Sequence, residues 1–289
     1  MYAVVLDDGT SVEATLRGRL KRDGGQVVIG DRVTVARGAH ADWTIESVEP
    51  RDTELVRRGR GGRSPKVLAA NLDRVFAVVA LSDPTGMPER IDRLLVMIEA
   101  SGMHPLLVLN KADLPSARAA AEALVGLYQH LGYRTFVVSA KTGEGLAPLR
   151  EMLCGGASAL IGPSGVGKSS ILNALDPTLR LLTRELSSKT GTGRHTTVSS
   201  RLIPLDCGGL VADTPGFGEV ALWGMAPDEV PRCFPELAAS AEQCRFRSCT
   251  HVHEPGCEVK VGLAHGRIPE SRYRSYVKLR EEAVEAAER

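Results

Sequence analysis

The chain has 289 residues, of which 43% are hydrophobic and 25% charged, with a formal net charge of +1. Those values fit a globular protein with a buried core, and the length allows one large domain or two to three smaller ones. A nearly neutral chain excludes bulk charge as a nucleic-acid attractant and leaves that task to local patches. No apolar run reaches the roughly 18 residues of a membrane span, and the start MYAVVLDDGT lacks a signal-peptide layout. A cytoplasmic protein with no membrane contact is expected.

Residues 1 to about 56 hold short alternating runs, YAVVL, SVEATL, QVVIGDRVTVA and WTIESVEP, broken by Gly and Asp. They predict a small all-β, antiparallel barrel, since closure removes exposed strand edges. From Leu55 to Lys66 the chain is Gly-rich and basic, and reads as a linker carrying Arg57, Arg58, Arg60, Arg63 and Lys66. The pattern then changes. RVFAVVALS predicts a buried strand, PERIDRLLVMIEASG a helix, and HPLLVLNKADL another buried strand. A helix from Ser116 to about Gly132, the strand RTFVVSAK and a short helix over Leu146 to Leu153 follow. SALIGPSGVGKSSILNAL reads as strand, loop and helix, and SRLIPLDCGGLVADTPGF as a strand pair ending in a loop. Near-continuous apolar strands alternating with helices indicate a mostly parallel sheet covered on both faces. SSKTGTGRHTTVSS is too polar for a core and predicts a loop. Beyond Phe217 the chain is mixed, and it ends in a charged helix from about Glu270 to Arg289.

The segment Gly162-Pro163-Ser164-Gly165-Val166-Gly167-Lys168-Ser169-Ser170 fits a phosphate-binding loop in its required context, between a strand and a helix. Its glycines let backbone N–H groups turn toward phosphate oxygens at a helix N-terminus. Lys168 is expected on the β- and γ-phosphates, and the Ser169 hydroxyl on Mg²⁺. The loop alone does not choose between ATP and GTP.

NKAD, at Asn110 to Asp113, makes that choice. It ends a strand at the carboxyl edge, where open α/β sheets bind ligands. An Asp113 carboxylate can accept both the N1–H and the N2–H of guanine, whereas adenine would leave it unpaired. Asn110 can bond the far edge of the base, and the Lys111 stem can lie on its face. One strand later Ser139, Ala140 and Lys141 (SAK) can direct a backbone N–H at guanine O6. In DTPG, Asp213 is expected to hold Mg²⁺ through water, and the Gly216 N–H to sense the γ-phosphate. In GRHTT, Thr197 or Thr196 would contact Mg²⁺ and the γ-phosphate, with the spacing favouring Thr197.

The five elements run in the order base reader, SAK, phosphate loop, switch I, switch II. That order is a circular permutation, which close termini make physically cheap.

Of six cysteines, Cys154, Cys207 and Cys233 are isolated in sequence, whereas Cys244, Cys249 and Cys257 crowd together with His251 and His253. In a reducing compartment the cluster reads as a metal site before it reads as disulfides. Three thiolates and one imidazole form a closed tetrahedral set suited to structural rather than catalytic zinc.

On these motifs the chain resembles the circularly permuted GTPases, and closely the ribosome small-subunit-dependent GTPase family (RsgA/YjeQ). The resemblance covers the whole chain: a barrel with IGDRV, the permuted motifs, and a terminal zinc module. It implies an OB-like barrel with a basic linker over 1–65, putting rRNA against the barrel, a permuted GTPase domain over 66–220, and a mainly helical zinc module over 221–289. It favours His251 over His253 beside Cys244, Cys249 and Cys257, giving one structural Zn²⁺, with Mg²⁺ accompanying GTP. It implies a monomer that binds the small (30S) ribosomal subunit and its rRNA late in maturation, hydrolyses GTP to GDP and phosphate when stimulated by the subunit, and leaves.

Hydrolysis is the harder question. Where some GTPases place a water-orienting glutamine, after the switch II glycine, this chain has Phe217, which implies slow unaided turnover. Lys168, Thr197 and His195 are the residues expected at the reacting phosphate. The resembling family carries a histidine at position 195, which could orient the water; a loop histidine without a catalytic role is the alternative. Gly165 occupies the position where potassium-activated GTPases carry Asn, so no potassium ion is inferred. On the final helix Arg272, Tyr273, Arg274, Tyr276, Lys278 and Arg280 read either as an RNA-facing surface or as a solvated helix packed by its two tyrosines. The alternative function is a guanine-nucleotide-gated RNA-binding module in which hydrolysis is incidental. An ATPase is a third reading, which Asp113 argues against.

Overall fold

A computed structural model of the chain describes residues 1–22, 26–38, 42–57, 66–82, 87–181, 201–213 and 225–288. At its centre lies a six-stranded sheet. Its strands are β7 (Arg74–Ala80), β8 (Pro105–Asn110), β9 (Thr135–Val137), β10 (Ala157–Ile161), β11 (Arg201–Pro204) and β12 (Leu210–Asp213), in the order β11-β12-β10-β7-β8-β9. All neighbours are parallel except the edge pair β11–β12.

The apolar runs of these strands have no polar side because both faces are covered. Along β7, Val75, Ala77 and Val79 enter one core, while Phe76 and Val78 enter the other. Ile91, Leu94, Leu95 and Ile98 of helix α2 (Met87–Glu99), with residues of α3 (Ala117–His130), fill the first core. Helices α4 (Leu146–Leu153) and α5 (Lys168–Leu175) supply the second. Period-two alternation thus survives as a choice between two helix layers.

The order of strands shows where the domain is rejoined. β10, whose following loop and helix carry the phosphate-loop motif, lies between the earlier strand β7 and the later strand β12, parallel to both. Three residues, Cys154 to Gly156, connect α4 to β10. They are fastened to the root of β7. The Arg74 guanidinium donates to the Met152 and Gly155 carbonyls at 3.2 and 2.9 Å, and Asp73 accepts the Ala157 N–H at 2.7 Å.

The N-terminal strands β1 (Tyr2–Val5), β2 (Ser11–Leu16), β3 (Val33–Arg37) and β4 (Trp43–Val48) form a sheet in the order β1-β2-β4-β3. The expectation of an antiparallel arrangement is corrected, because β2 and β4 run parallel. Between them the chain passes through a short helix, α1 (Gly18–Arg22), and then β3, a connection long enough for parallel pairing. The linker is corrected as well. Glu54–Arg57 is strand β5, paired antiparallel with β6 (Lys66–Ala70), and Leu55 is buried in the first sheet core. Residues 58–65 lie outside the described residues.

Beyond residue 224 the chain forms a 3₁₀ turn (Val230–Cys233) and helices α6 (Pro235–Ala241), α7 (Glu258–Ala264) and α8 (Glu270–Ala287). Their core, built on Phe234, Leu237, Tyr276 and Leu279, includes Val96 of α2. Helix α2 therefore serves the sheet with one face and the C-terminal helices with another. Among the described residues no helix is long and apolar enough to cross a membrane.

Candidate nucleotide site and metal centre

The described motif residues gather at the carboxyl edge of the sheet. Ala80 of β7 is level with Asn110 of β8, and Leu109 with Val137 of β9. The loop Gly162–Gly167 leaves the same edge from β10, and the backbone of Asp213 ends neighbouring β12.

Asn110 ties three motifs together. It is 1% exposed; its Nδ2 donates to the Val166 carbonyl of the phosphate loop at 2.8 Å, and its Oδ1 accepts the Ala140 N–H at 3.2 Å. Both ends of an amide predicted to meet the base are engaged with protein, which leaves one Nδ2 hydrogen and one Oδ1 lone pair free for other partners. Gly167 must be glycine here. Its φ is +98°, and a Cβ would lie 2.3 Å from Asn110 Nδ2. Lys111 next to Asn110 has a φ of +66°, an uncommon conformation for a residue with a side chain.

Asp113 is aligned by its neighbours. The Ser139 hydroxyl donates to Asp113 Oδ1 at 2.7 Å and also accepts the Thr142 N–H at 3.2 Å. Lys141 Nζ stands 3.9 Å from Asp113 Oδ2, its own side chain 83% exposed. One carboxylate oxygen is thus fixed by a buried hydroxyl, and the other lies near an exposed ammonium.

In the phosphate loop Lys168 folds back, donating from Nζ to the Gly162 and Pro163 carbonyls at 2.7 and 3.1 Å. Val166 inserts into the second sheet core and anchors the loop from beneath. Pro163, Ser169 and Ser170 are half-buried, and Ser164 and Gly165 are exposed. His195, Thr196, Thr197, Gly216 and Phe217, and the Asp213 side chain, lie outside the described residues.

The cysteine cluster also assembles. The Cys244, Cys249 and Cys257 sulfurs and a His251 ring nitrogen all lie within 4.8 Å of one another. His251 Nδ1 is 3.6 Å from Cys244 Sγ and 3.5 Å from Cys257 Sγ, and the two sulfurs are 3.9 Å apart. A tetrahedral ion with bonds of about 2.3 Å spaces its sulfur ligands by about 3.8 Å, so this donor set fits zinc. Burial pushes the Cys249 thiol up to about 12 and the Cys257 thiol upward, and holds the His251 imidazole toward its neutral, ligating form. A bound cation reverses the effect on the thiols.

Sequence reasoning missed the supports of this cluster. Glu254 accepts the Thr250 N–H and hydroxyl at 2.7 and 2.6 Å and the Val252 N–H at 3.2 Å, while Tyr273 donates to the His251 carbonyl at 2.7 Å. A carboxylate four residues after a threonine inside a Cys/His cluster was the available signal. On α8 the RNA-facing reading is corrected in part. Arg272 and Tyr276 are buried and Tyr273 is half-buried, whereas Arg274 and Lys278 are exposed. Lys278 pairs with Glu89 of α2.

Residues 48–223 match the family model described as RsgA GTPase. The chain belongs to the RsgA GTPase family. Relatives named small ribosomal subunit biogenesis GTPase RsgA include one from Gemmatimonas aurantiaca, 45% identical with 98% of this chain and 94% of the relative covered. Another, from Moorella thermoacetica, is 40% identical with the same coverage. Among solved structures, YjeQ from Thermotoga maritima is similar with a TM-score of 0.80 at 34% identity, covering 96% of this chain and 92% of that one. YloQ, titled a circularly permuted GTPase, gives a TM-score of 0.76 at 28% identity, covering 98% and 91%.

As a member of the RsgA GTPase family the chain is a GTP hydrolase with a circularly permuted fold. The permuted order of motifs is therefore a property of the fold. The parallel insertion of β10 between β7 and β12 is its physical form.

Proposed function

We propose that this protein binds the small ribosomal subunit during late maturation, hydrolyses GTP when the subunit stimulates it, and then dissociates. The observation that carries the proposal is the closure of the base reader on the phosphate loop by Asn110, in a chain that aligns over 98% of its length with relatives named for small-subunit biogenesis.

In this reading Asp113 accepts the guanine N1–H and N2–H, held in register by Ser139. The Ala140 N–H and the Lys111 stem complete the base pocket. Lys168 leaves the Gly162 and Pro163 carbonyls to meet the β- and γ-phosphates, while the backbone from Gly162 to Ser170 cradles them. Ser169 and Asp213 start a helix and end a strand on adjacent parallel strands, offering a hydroxyl and a carboxylate, the hard donors magnesium takes. Magnesium, when bound, neutralises charge on the phosphate oxygens. Thr197 (or Thr196) and the Gly216 N–H report the γ-phosphate, and His195 orients the attacking water. Phe217 cannot do so, which makes a stimulating partner necessary.

The division of labour is residues 1–65 as an OB-like, rRNA-binding region, 66–220 as the GTPase domain, and 221–289 as a module around one structural zinc on Cys244, Cys249, His251 and Cys257. The β5–β6 ladder crosses the first boundary. The protein works as a cytoplasmic monomer, cycling between GTP and GDP.

GTP turnover with and without purified small subunits tests the proposal. Stimulation by subunits supports it. Nucleotide-dependent binding without stimulation would support a guanine-nucleotide-gated RNA-binding module instead, and neither effect would overturn both.

A further inference from the structure

Cys154 and Cys207 are 53 residues apart in sequence, yet their sulfurs are joined in a disulfide with Cα atoms 5.4 Å apart. Both residues are half-buried, within reach of a small solute. Cys154 caps α4 at the three-residue join to β10, and Cys207 lies in the turn between β11 and β12. That turn packs closely on the join, since a Cβ on Gly209 would lie 2.0 Å from the Leu153 carbonyl. Besides the disulfide, the turn is held by Leu205 in the second sheet core, by the Leu210 N–H on the Gly156 carbonyl at 3.0 Å, by the exposed ion pair Arg150–Asp206 and by the Asp206 N–H on Asp176 at 3.2 Å. An exposed ion pair constrains little.

The hairpin has a particular place in the chain. Arg201 pairs with Asp213, so the two ends of the hairpin, which adjoin the switch motifs in sequence, lie side by side at the carboxyl edge of β12. Cys207 sits at the other end, in the turn beyond a four-pair ladder about 10 Å long. Among the described strands β11 pairs with β12 alone, while Leu202 and Ile203 pack into the two sheet cores, and a covalent tie at the turn adds to that anchorage of the hairpin.

We infer that Cys154 and Cys207 form a reversible thiol–disulfide couple that fastens the hairpin between the switches and slows nucleotide exchange when oxidised. The oxidant is a low-molecular-weight disulfide. A thiolate of the pair attacks one of its sulfurs and displaces one small thiol; the second cysteine then attacks the mixed disulfide and releases the other. Two protein thiols lose two hydrogens, and one small disulfide becomes two small thiols. In a reducing compartment the resting state is the dithiol, and oxidative stress makes the bond.

The test uses the zinc-loaded full chain, equilibrated over a range of reduced to oxidised glutathione. Aliquots are trapped by alkylation and mapped by mass spectrometry, with zinc release and fluorescent GDP release followed on the same samples. The expected result is a reversible Cys154–Cys207 cross-link formed before zinc is lost, with GDP release slowed about fivefold. Cys154→Ser should abolish both the cross-link and the redox response while retaining zinc. A pair that stays reduced until zinc leaves overturns the inference. So does a cross-link that leaves GDP release unchanged or faster, or a redox response that persists in Cys154→Ser.

Discussion

The Arg272 guanidinium of α8 lies 2.6 Å from the Asp92 carboxylate of α2, and both side chains are fully buried. Glu236 of α6 accepts from Arg272 Nε at 2.7 Å, Tyr128 of α3 donates to Asp92 at 2.7 Å, and the Phe234 ring lies 4.5 Å from the guanidinium carbon. One cation thus joins the C-terminal helices to two helices of the GTPase sheet. Arg93–Glu282 and Lys278–Glu89 reinforce the contact nearer the surface.

Removing Arg272 leaves the Asp92 and Glu236 carboxylates without their cation, and removing Asp92 leaves Arg272 to Glu236 alone. Asp92→Leu should destabilise the protein by about 3 kcal/mol, and Arg272→Met by a similar amount. The double substitution should recover part of the loss, because only Glu236 is then left without its cation. Denaturant unfolding of the zinc-loaded protein measures the cycle; strictly additive losses would show that the two residues do not act as a pair.

Asp113→Asn replaces an acceptor of two N–H groups by a side chain that must present a donor. Affinity for GTP should fall about a hundredfold, while binding of the phosphates persists. Competition between GTP and ATP for a fluorescent nucleotide reads the change. Undiminished preference for guanine would remove Asp113 from the base pocket.

For His195→Ala the expected change is in turnover and not in binding. Subunit-stimulated kcat should drop about a hundredfold, as for a lost proton-handling or water-orienting group. GTP affinity should remain. A variant with unchanged stimulated kcat leaves His195 as an ordinary loop residue.

Zinc removal should unfold the C-terminal helices, since a closed set of three thiolates and an imidazole contributes on the order of 10 kcal/mol of binding free energy to folding. One equivalent of zinc should be released to a chelator together with helical signal, and Cys249→Ser should reproduce the effect. Retained helicity after complete zinc loss would show that Tyr273, Tyr276 and Glu254 suffice to hold the cluster.

Much of the nucleotide site was legible in the sequence because its motifs are local. A glycine loop between strand and helix, and an acid at a strand end, require nothing from distant residues. The central strands were legible for a similar reason, since β7 is apolar along its whole length. What escaped depends on distant pairing. The β2–β4 ladder is parallel because of a crossover, and strand direction leaves no mark on composition. β5 read as linker because its partner lies across the basic stretch. Cys154 and Cys207 read as isolated because 53 residues separate them. Arg272 read as a solvated charge, with its neutralising Asp92 standing 180 residues earlier. The antiparallel barrel was a preference for closed edges, and it is the parallel β2–β4 pair that departs from it.

The span of Asn110 has a consequence for the newborn chain. Its partners Ala140 and Val166 lie 30 and 56 residues downstream. At a synthesis rate of about 5 to 20 residues per second, the second partner is made roughly 3 to 11 seconds after Asn110 itself. The half that carries NKAD emerges first and waits, the buried Asn110 amide incomplete, for the half that carries the phosphate-loop motif. Translation therefore delivers the permuted domain with the NKAD strand first, and the contact that closes it on the phosphate-loop motif forms only after the loop around Val166 has left the tunnel.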